Sequence, residues 1–247
     1  MNHHRQQPVL FRIFPAVFCL AICFTLAAVA RADLILEQQS GDNTVTNHVI
    51  VKVHGDKMRM DQSNTRGGEF SVVLDLNTHD SITLMPKLKM FLKRSGGEVR
   101  AQIEANKKNE ATNDVNLMPA PCVDTGKADK VDGSDTEIFT WSGAYGISKN
   151  LWVATNFPNY ESIRKEIAKI DQFNITGPHR NVQPEMSRLP GMVLKTESIG
   201  GGKTNTIYTI SVKQEPVDPA LFELPPDYTP WKQPAAAPGN TVVPAGK

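Results

Sequence analysis

The chain is poor in cysteine. Three of 247 residues are cysteine, and Cys19 and Cys23 lie in the apolar run at the N-terminus, so past that run Cys122 is alone and no intramolecular disulfide can form. Cys122 sits in the turn-rich string Pro119-Ala120-Pro121-Cys122, with no histidine beside it to act as a base. It reads as a buried or unpaired thiol, with a reactive or intermolecular thiol as the alternative. An excess of one charge is also missing. The 27 basic and 26 acidic residues leave a net charge of +1, too little to neutralise a phosphate backbone, so nucleic acid is not expected as a partner. There is no glycine period, no sustained heptad and only one long apolar run, which excludes collagen, a coiled coil and a multi-span membrane protein.

Catalytic strings are scarce too. HExxH, CxxC and GxSxG are absent beyond the N-terminal run. Gly202-Lys203-Thr204 looks like the end of a phosphate loop, but the first glycine of that motif would fall at Glu197, and the context is strand, turn, strand. His48 and His54 share a strand face about 20 Å apart, too far to hold one metal, and read as solvated. His79 lies in a turn and His179 in a loop, neither with a partner that spacing identifies. Asp75 and Asp80 flank a hairpin turn, where acids serve turn chemistry. No enzyme activity, catalytic residue, cofactor or metal site is expected.

What is present begins with the apolar run. Arg5 and Arg12 precede Ile13 to Ala30, and small residues follow at Ala28, Ala30 and Ala32, the layout of a secretory signal peptide over residues 1–32. Cleavage after Ala32 and after Ala30 both satisfy an A-x-A pattern. An uncleaved anchor is the alternative, at 18 residues near the lower limit for crossing a bilayer. A lipidation box at Leu20 to Cys23 fails at Ile22. Removing residues 1–32 takes away Arg5, Arg12 and Arg31 and no acid, leaving 24 basic and 26 acidic residues. The 215 residues that remain suffice for an apolar core, and a periplasmic or secreted protein is expected.

Period-two alternation dominates the remainder. Val49, Val51 and Val53 share one face of His48 to His54, Gly55-Asp56 turns the chain, and Met58 and Met60 return. Phe70, Val72, Leu74 and Leu76 alternate in a second hairpin whose turn is Asn77 to Asp80. Ile82 and Leu84 lead on to Leu88, Met90 and Leu92, with Pro86 marking an edge or bulge. Residues 95–120 read as a weak helix over Glu98 to Lys108 and a flexible excursion. Strands resume at Thr136 to Trp141 and Leu151 to Thr155. Tyr160, Ile163, Ile167, Ile170 and Phe173 then form one stripe of an amphipathic helix, opposite Glu161, Arg164, Lys165, Glu166 and Lys169. A hairpin of Met192 to Ile199 and Thr204 to Lys213 turns at Gly200-Gly201-Gly202. Trp231 to Lys247, rich in Pro and Ala, reads as a disordered tail. One α+β domain over 33–230 is the expectation.

Two apolar groupings suggest a ligand site. Met58, Met60, Met85 and Met90 cluster in the N-terminal strands, where thioethers adapt to irregular apolar ligands as readily as they fill gaps in a core. Trp141 and Trp152 stand on neighbouring strands, to line a pocket or to pack.

A series of short strings in the C-terminal half completes the reading: Thr125-Gly126-Lys127, Val131-Asp132-Gly133, Glu137 to Trp141, Leu151 to Ala154, Asn156-Phe157-Pro158, Leu189-Pro190-Gly191, Leu194 to Glu197 and Phe222 to Tyr228. In this order they resemble the bacterial family of exported proteins called domain of unknown function 4412. The resemblance implies a fold similar to the lipoprotein carrier LolA and its receptor LolB: a strongly curved antiparallel half-barrel packed on one main helix. Ser134 and Thr136 stand where relatives often carry an aromatic and a cysteine, so cysteine chemistry is not inherited. Asp227 replaces the glycine of a Pro-x-Gly-Tyr turn and is expected to tolerate a left-handed backbone. By analogy the protein is a binding or carrier module for a lipid or lipoprotein acyl chain; an envelope interaction or sensor module with a filled core is the alternative.

Overall fold

The chain divides between Ala32 and Asp33. A computed structural model describes residues 33–41, 45–101, 104, 121–143, 146–176 and 183–231, with the backbone alone for 173–176. The expected signal peptide, most of the expected 95–120 excursion, His179 and the expected tail beyond Trp231 lie outside these residues.

Twelve strands form one open, curved sheet, consistent with an α+β fold that is mostly sheet with few helices among the described residues. They are β1 (Leu34–Gly41), β2 (Thr46–His54), β3 (Lys57–Asn64), β4 (Glu69–Asp75), β5 (Ser81–Met85), β6 (Met90–Arg94), β7 (Val123–Val131), β8 (Ser134–Ser142), β9 (Ser148–Ala154), β10 (Met192–Gly200), β11 (Lys203–Gln214) and β12 (Thr229–Pro230). The order across the sheet is β12-β6-β5-β4-β3-β2-β1-β11-β10-β9-β8-β7. Two meanders are thus joined by the antiparallel pairing of β1 with β11. Among the described residues only β12, beside β6, runs parallel to its neighbour.

The hairpins follow from their turns. Gly55 takes φ 58° in the two-residue turn between β2 and β3, a left-handed conformation that favours glycine. Gly191 answers to a close approach instead: a Cβ there would lie 2.1 Å from the Ala154 carbonyl oxygen. Pro86 does not bulge a continuous strand. It opens a short helical turn, Pro86–Leu88, closed by Lys89 at φ 48°, and the chain reverses into β6.

The long helix, Tyr160–Thr176, packs Tyr160, Ile163 and Ile167 against Leu34, Val53, Met58, Trp152, Met192 and Leu194. We call this side of the sheet the helix face. Glu166, expected on the solvent side, is only 6% exposed and pairs with Lys169 at 2.7 Å. Lys169 also donates to the Gly55 carbonyl, so the pair is drawn under the helix by a bond to the β2–β3 turn. The first helical segment starts at 96, two residues before the expected Glu98, because Ser95 and Glu98 cap it reciprocally: Ser95 N–H donates to Glu98 Oε2 at 2.8 Å and Glu98 N–H to Ser95 Oγ at 3.2 Å.

The opposite face is covered in two places. Leu189 packs with Phe139, Leu151 and Val153. Residues 215–231 form a strap whose Val217 and Phe222 bury Val73. The strap is tied at one end to Asp33, whose Oδ2 accepts from Val217 N–H at 2.8 Å and whose carbonyl accepts from Glu215 N–H. At the other end it adds β12 to β6, and Trp231 N–H donates to the Phe91 carbonyl at 2.7 Å, so the first residue of the expected tail still belongs to the ladder. Asp227 is not left-handed. It lies 2.9 Å from Lys89, and it is Lys89 that takes the positive φ.

Candidate functional site

Register decides which side chains meet. Across β2 to β6, Val53 pairs with Met58 and Met58 with Leu74; Val51 pairs with Met60 and Met60 with Val72; Val72 pairs with Thr83 and Thr83 with Leu92; Met85 pairs with Met90. Side chains directly opposite on paired strands share a face, and alternation carries that face along each strand. Met58, Met60, Met85 and Met90 therefore all stand on the helix face. Met58 is buried in the core beneath the helix. Met60, Met85 and Met90 are half-buried, and so are Phe70, Val72 and Leu92 beside them. These last three escape a search for methionines. The signal for them was the same alternation, combined with the register that each turn imposes.

The tryptophans do not share a face. Trp141 pairs with Lys149, whereas Trp152 pairs with Ile138, so an odd offset along β8 and β9 sends them to opposite sides. Trp152 lies in the core under the helix, donates from Nε1 to Asp129 Oδ2 at 3.1 Å, and carries the Lys195 ammonium 3.9 Å above its ring. Trp141 is 2% exposed on the opposite face, and its Nε1 meets no acceptor among the described residues. They line no common pocket.

The opposite face of β2 to β4 carries charge. Asp61 accepts from Lys52 Nζ at 2.6 Å, Arg59 Nε at 2.7 Å and Ser71 Oγ at 2.7 Å. Burial works to raise its pKa, but these three donors together win and hold it below the ordinary carboxylate value. Arg59 also donates to Ser71 Oγ and to the Leu221 carbonyl of the strap. A cavity of about 360 Å³ adjoins, lined by His48, Arg59, Asp61, Ser71 and Tyr228 among others. Arg59 and Asp61 are engaged by each other and by Lys52, Ser71 and the Leu221 carbonyl, so this network fastens the strap. The histidines of this face are not merely solvated: His48 Nε2 lies 2.7 Å from Glu37 Oε1 and His54 Nδ1 2.9 Å from Asp33 Oδ2.

Cys122 borders a second cavity, of about 300 Å³, with Phe139, Glu185, Arg188 and Leu189. Burial first, then the nearby Asp171 and Glu185, push its thiol up to about 11. The nucleophilic thiolate is therefore scarce at neutral pH. Among the described residues no three His, Cys, Asp or Glu side chains converge as metal ligands, and no helix is long and apolar enough to cross a membrane.

No protein-family model matches the chain, and no curated protein matches it. Solved structures do. An uncharacterized conserved protein from Thermus thermophilus is 8% identical with a TM-score of 0.46, covering 87% of this chain and 99% of its own. PNGF-II is 13% identical with a TM-score of 0.40, covering 81% of this chain and 31% of its own. The hypothetical protein CT021 from Chlamydia trachomatis is 8% identical with a TM-score of 0.35, covering 75% and 89%. At this level the chain is similar to these proteins in broad outline, and the likeness carries nothing about its role.

Proposed function

We propose that the protein is exported, loses residues 1–32, and binds an apolar ligand such as the acyl chain of a lipid or lipoprotein on the helix face of β3 to β6, with no chemical step. On this reading it is a periplasmic or secreted carrier-like protein, akin to the domain of unknown function 4412, and its curved sheet is the half-barrel of the LolA fold.

One observation carries the proposal. Met60, Phe70, Val72, Met85, Met90 and Leu92 form a half-buried apolar surface on one face, beyond the core that the helix closes. Contiguous apolar surface of this kind favours a ligand or partner over bare water, and methionine adapts to chains of irregular shape.

The alternative, an envelope interaction module, draws on a different patch. Ile199, Tyr208 and Ile210 are 41%, 42% and 49% exposed at β10 and β11, and side chains of this type suit a protein contact.

Native mass spectrometry of the protein isolated from its own envelope separates the two readings. Co-purifying lipid that detergent releases is the expected result. A ligand-free protein that retains a second polypeptide supports the interaction module and overturns the carrier.

A further inference from the structure

We propose that the apolar face selects a free long-chain fatty acid, with Arg94 receiving its carboxylate. This rests on the apolar-site reading above and names the class of ligand.

The argument is one of charge placement. Register puts the side chains of β1 to β6 on two faces. The opposite face takes Glu37, His48, Lys52, His54, Lys57, Arg59, Asp61, Glu69, Asp75 and Lys93. The helix face takes apolar residues with Gln, Asn, Ser and Thr, and one charged residue only. That residue is Arg94, which pairs with Ser81 and stands two positions along β6 from Leu92. It is exposed, and no ion pair or hydrogen bond engages its guanidinium among the described residues.

An uncharged row runs away from this corner through Leu92, Thr83, Val72 and Met60, and ends at Val51, which packs with the core under the helix. The four strands of the site, at a spacing of about 4.8 Å, span about 14 Å, enough for most of an extended long-chain acyl group. A single cation at one end of an uncharged strip suits an amphiphile whose one anionic group is terminal. A guanidinium offers a planar pair of donors to a carboxylate. A neutral alcohol of the same length would fill the strip and leave Arg94 unused.

The test compares palmitate and hexadecanol as competitors for a bound apolar fluorophore, in the wild type and in Arg94→Gln and Arg94→Lys. Palmitate should compete about fivefold to tenfold better than hexadecanol in the wild type. Arg94→Gln should remove that preference while leaving hexadecanol unchanged, Arg94→Lys should keep part of it, and added salt should shrink it in the wild type. Equal competition by the two ligands, or a preference that survives Arg94→Gln, overturns the role of Arg94 and leaves the apolar site standing. Binding of neither ligand by the folded protein overturns the apolar site itself.

Discussion

Asp33 illustrates how much one side chain can organise. Its carboxylate holds the strap through Val217 N–H and also meets His54, whose ring lies 5.7 Å from that of Phe222. Replacing Asp33 by Ala leaves a buried N–H without an acceptor, at a cost of about 1–3 kcal/mol. Amide exchange should accelerate over 215–223 in that variant, and unchanged exchange there would deny Asp33 the role. Lys149 is the opposite case, a residue that weakens the fold. It is 5% exposed, donates to Gln183 Oε1 at 2.5 Å, and burial pushes it down to about 8 from an ordinary 10.5. Below pH 8 it is charged in both folded and unfolded chains, and the burial penalty is fully present. Between pH 8 and 10.5 the folded chain releases a proton that the unfolded chain keeps, so stability climbs with pH across that window. Lys149→Met should accordingly be more stable than the wild type at about pH 7 by about 1–3 kcal/mol, with the gap narrowing by about pH 10. Denaturation at the two pH values measures it, and a gap that does not narrow contradicts the assignment. Neither residue was visible in the sequence as special, because both depend on partners far along the chain.

Among the elements, those with one buried face were the legible ones. Val49, Val51 and Val53 announced β2, and Tyr160, Ile163 and Ile167 announced the helix, since a stripe facing a core leaves a periodic trace. By contrast β7 is an edge strand exposed over most of its length, with a register shift between Asp124 and Lys127 and Gly126 at φ 66°. Solvent on both sides erases alternation, and charge with a bulge protects such an edge from further pairing. In β1 only Leu34 and Leu36 mark the helix face before polar residues take over. The strap has no period at all, because it is held by single contacts. For the helix, Ile167→Ala should destabilise by about 2–5 kcal/mol, whereas Lys165→Ala on its exposed side should stay within about 0.5 kcal/mol. Thermal melts of the two variants provide the check, and equal shifts would reject the orientation of the helix.

For the whole molecule, topology determines where function can sit. The β1–β11 pairing joins two meanders into one sheet, and a pairing between residues so distant in sequence leaves no local trace. The faces of the methionines were likewise implicit in turn lengths: each hairpin register fixes parity, and the turns after β2, β3, β4 and β5 happen to keep all four on one side. The β8–β9 loop sets the other parity and parts Trp141 from Trp152. The central claim is that the apolar helix face of β3 to β6 is a ligand site. Titration of the folded protein with an apolar fluorophore tests it most directly, alongside Met60→Asp with circular dichroism as the folding control. The account predicts saturable binding that fatty acid displaces, and a marked loss of affinity in a still-folded Met60→Asp, where a carboxylate would be desolvated by the ligand. A fully folded wild type that binds no probe, or a folded Met60→Asp that binds as tightly, would contradict it.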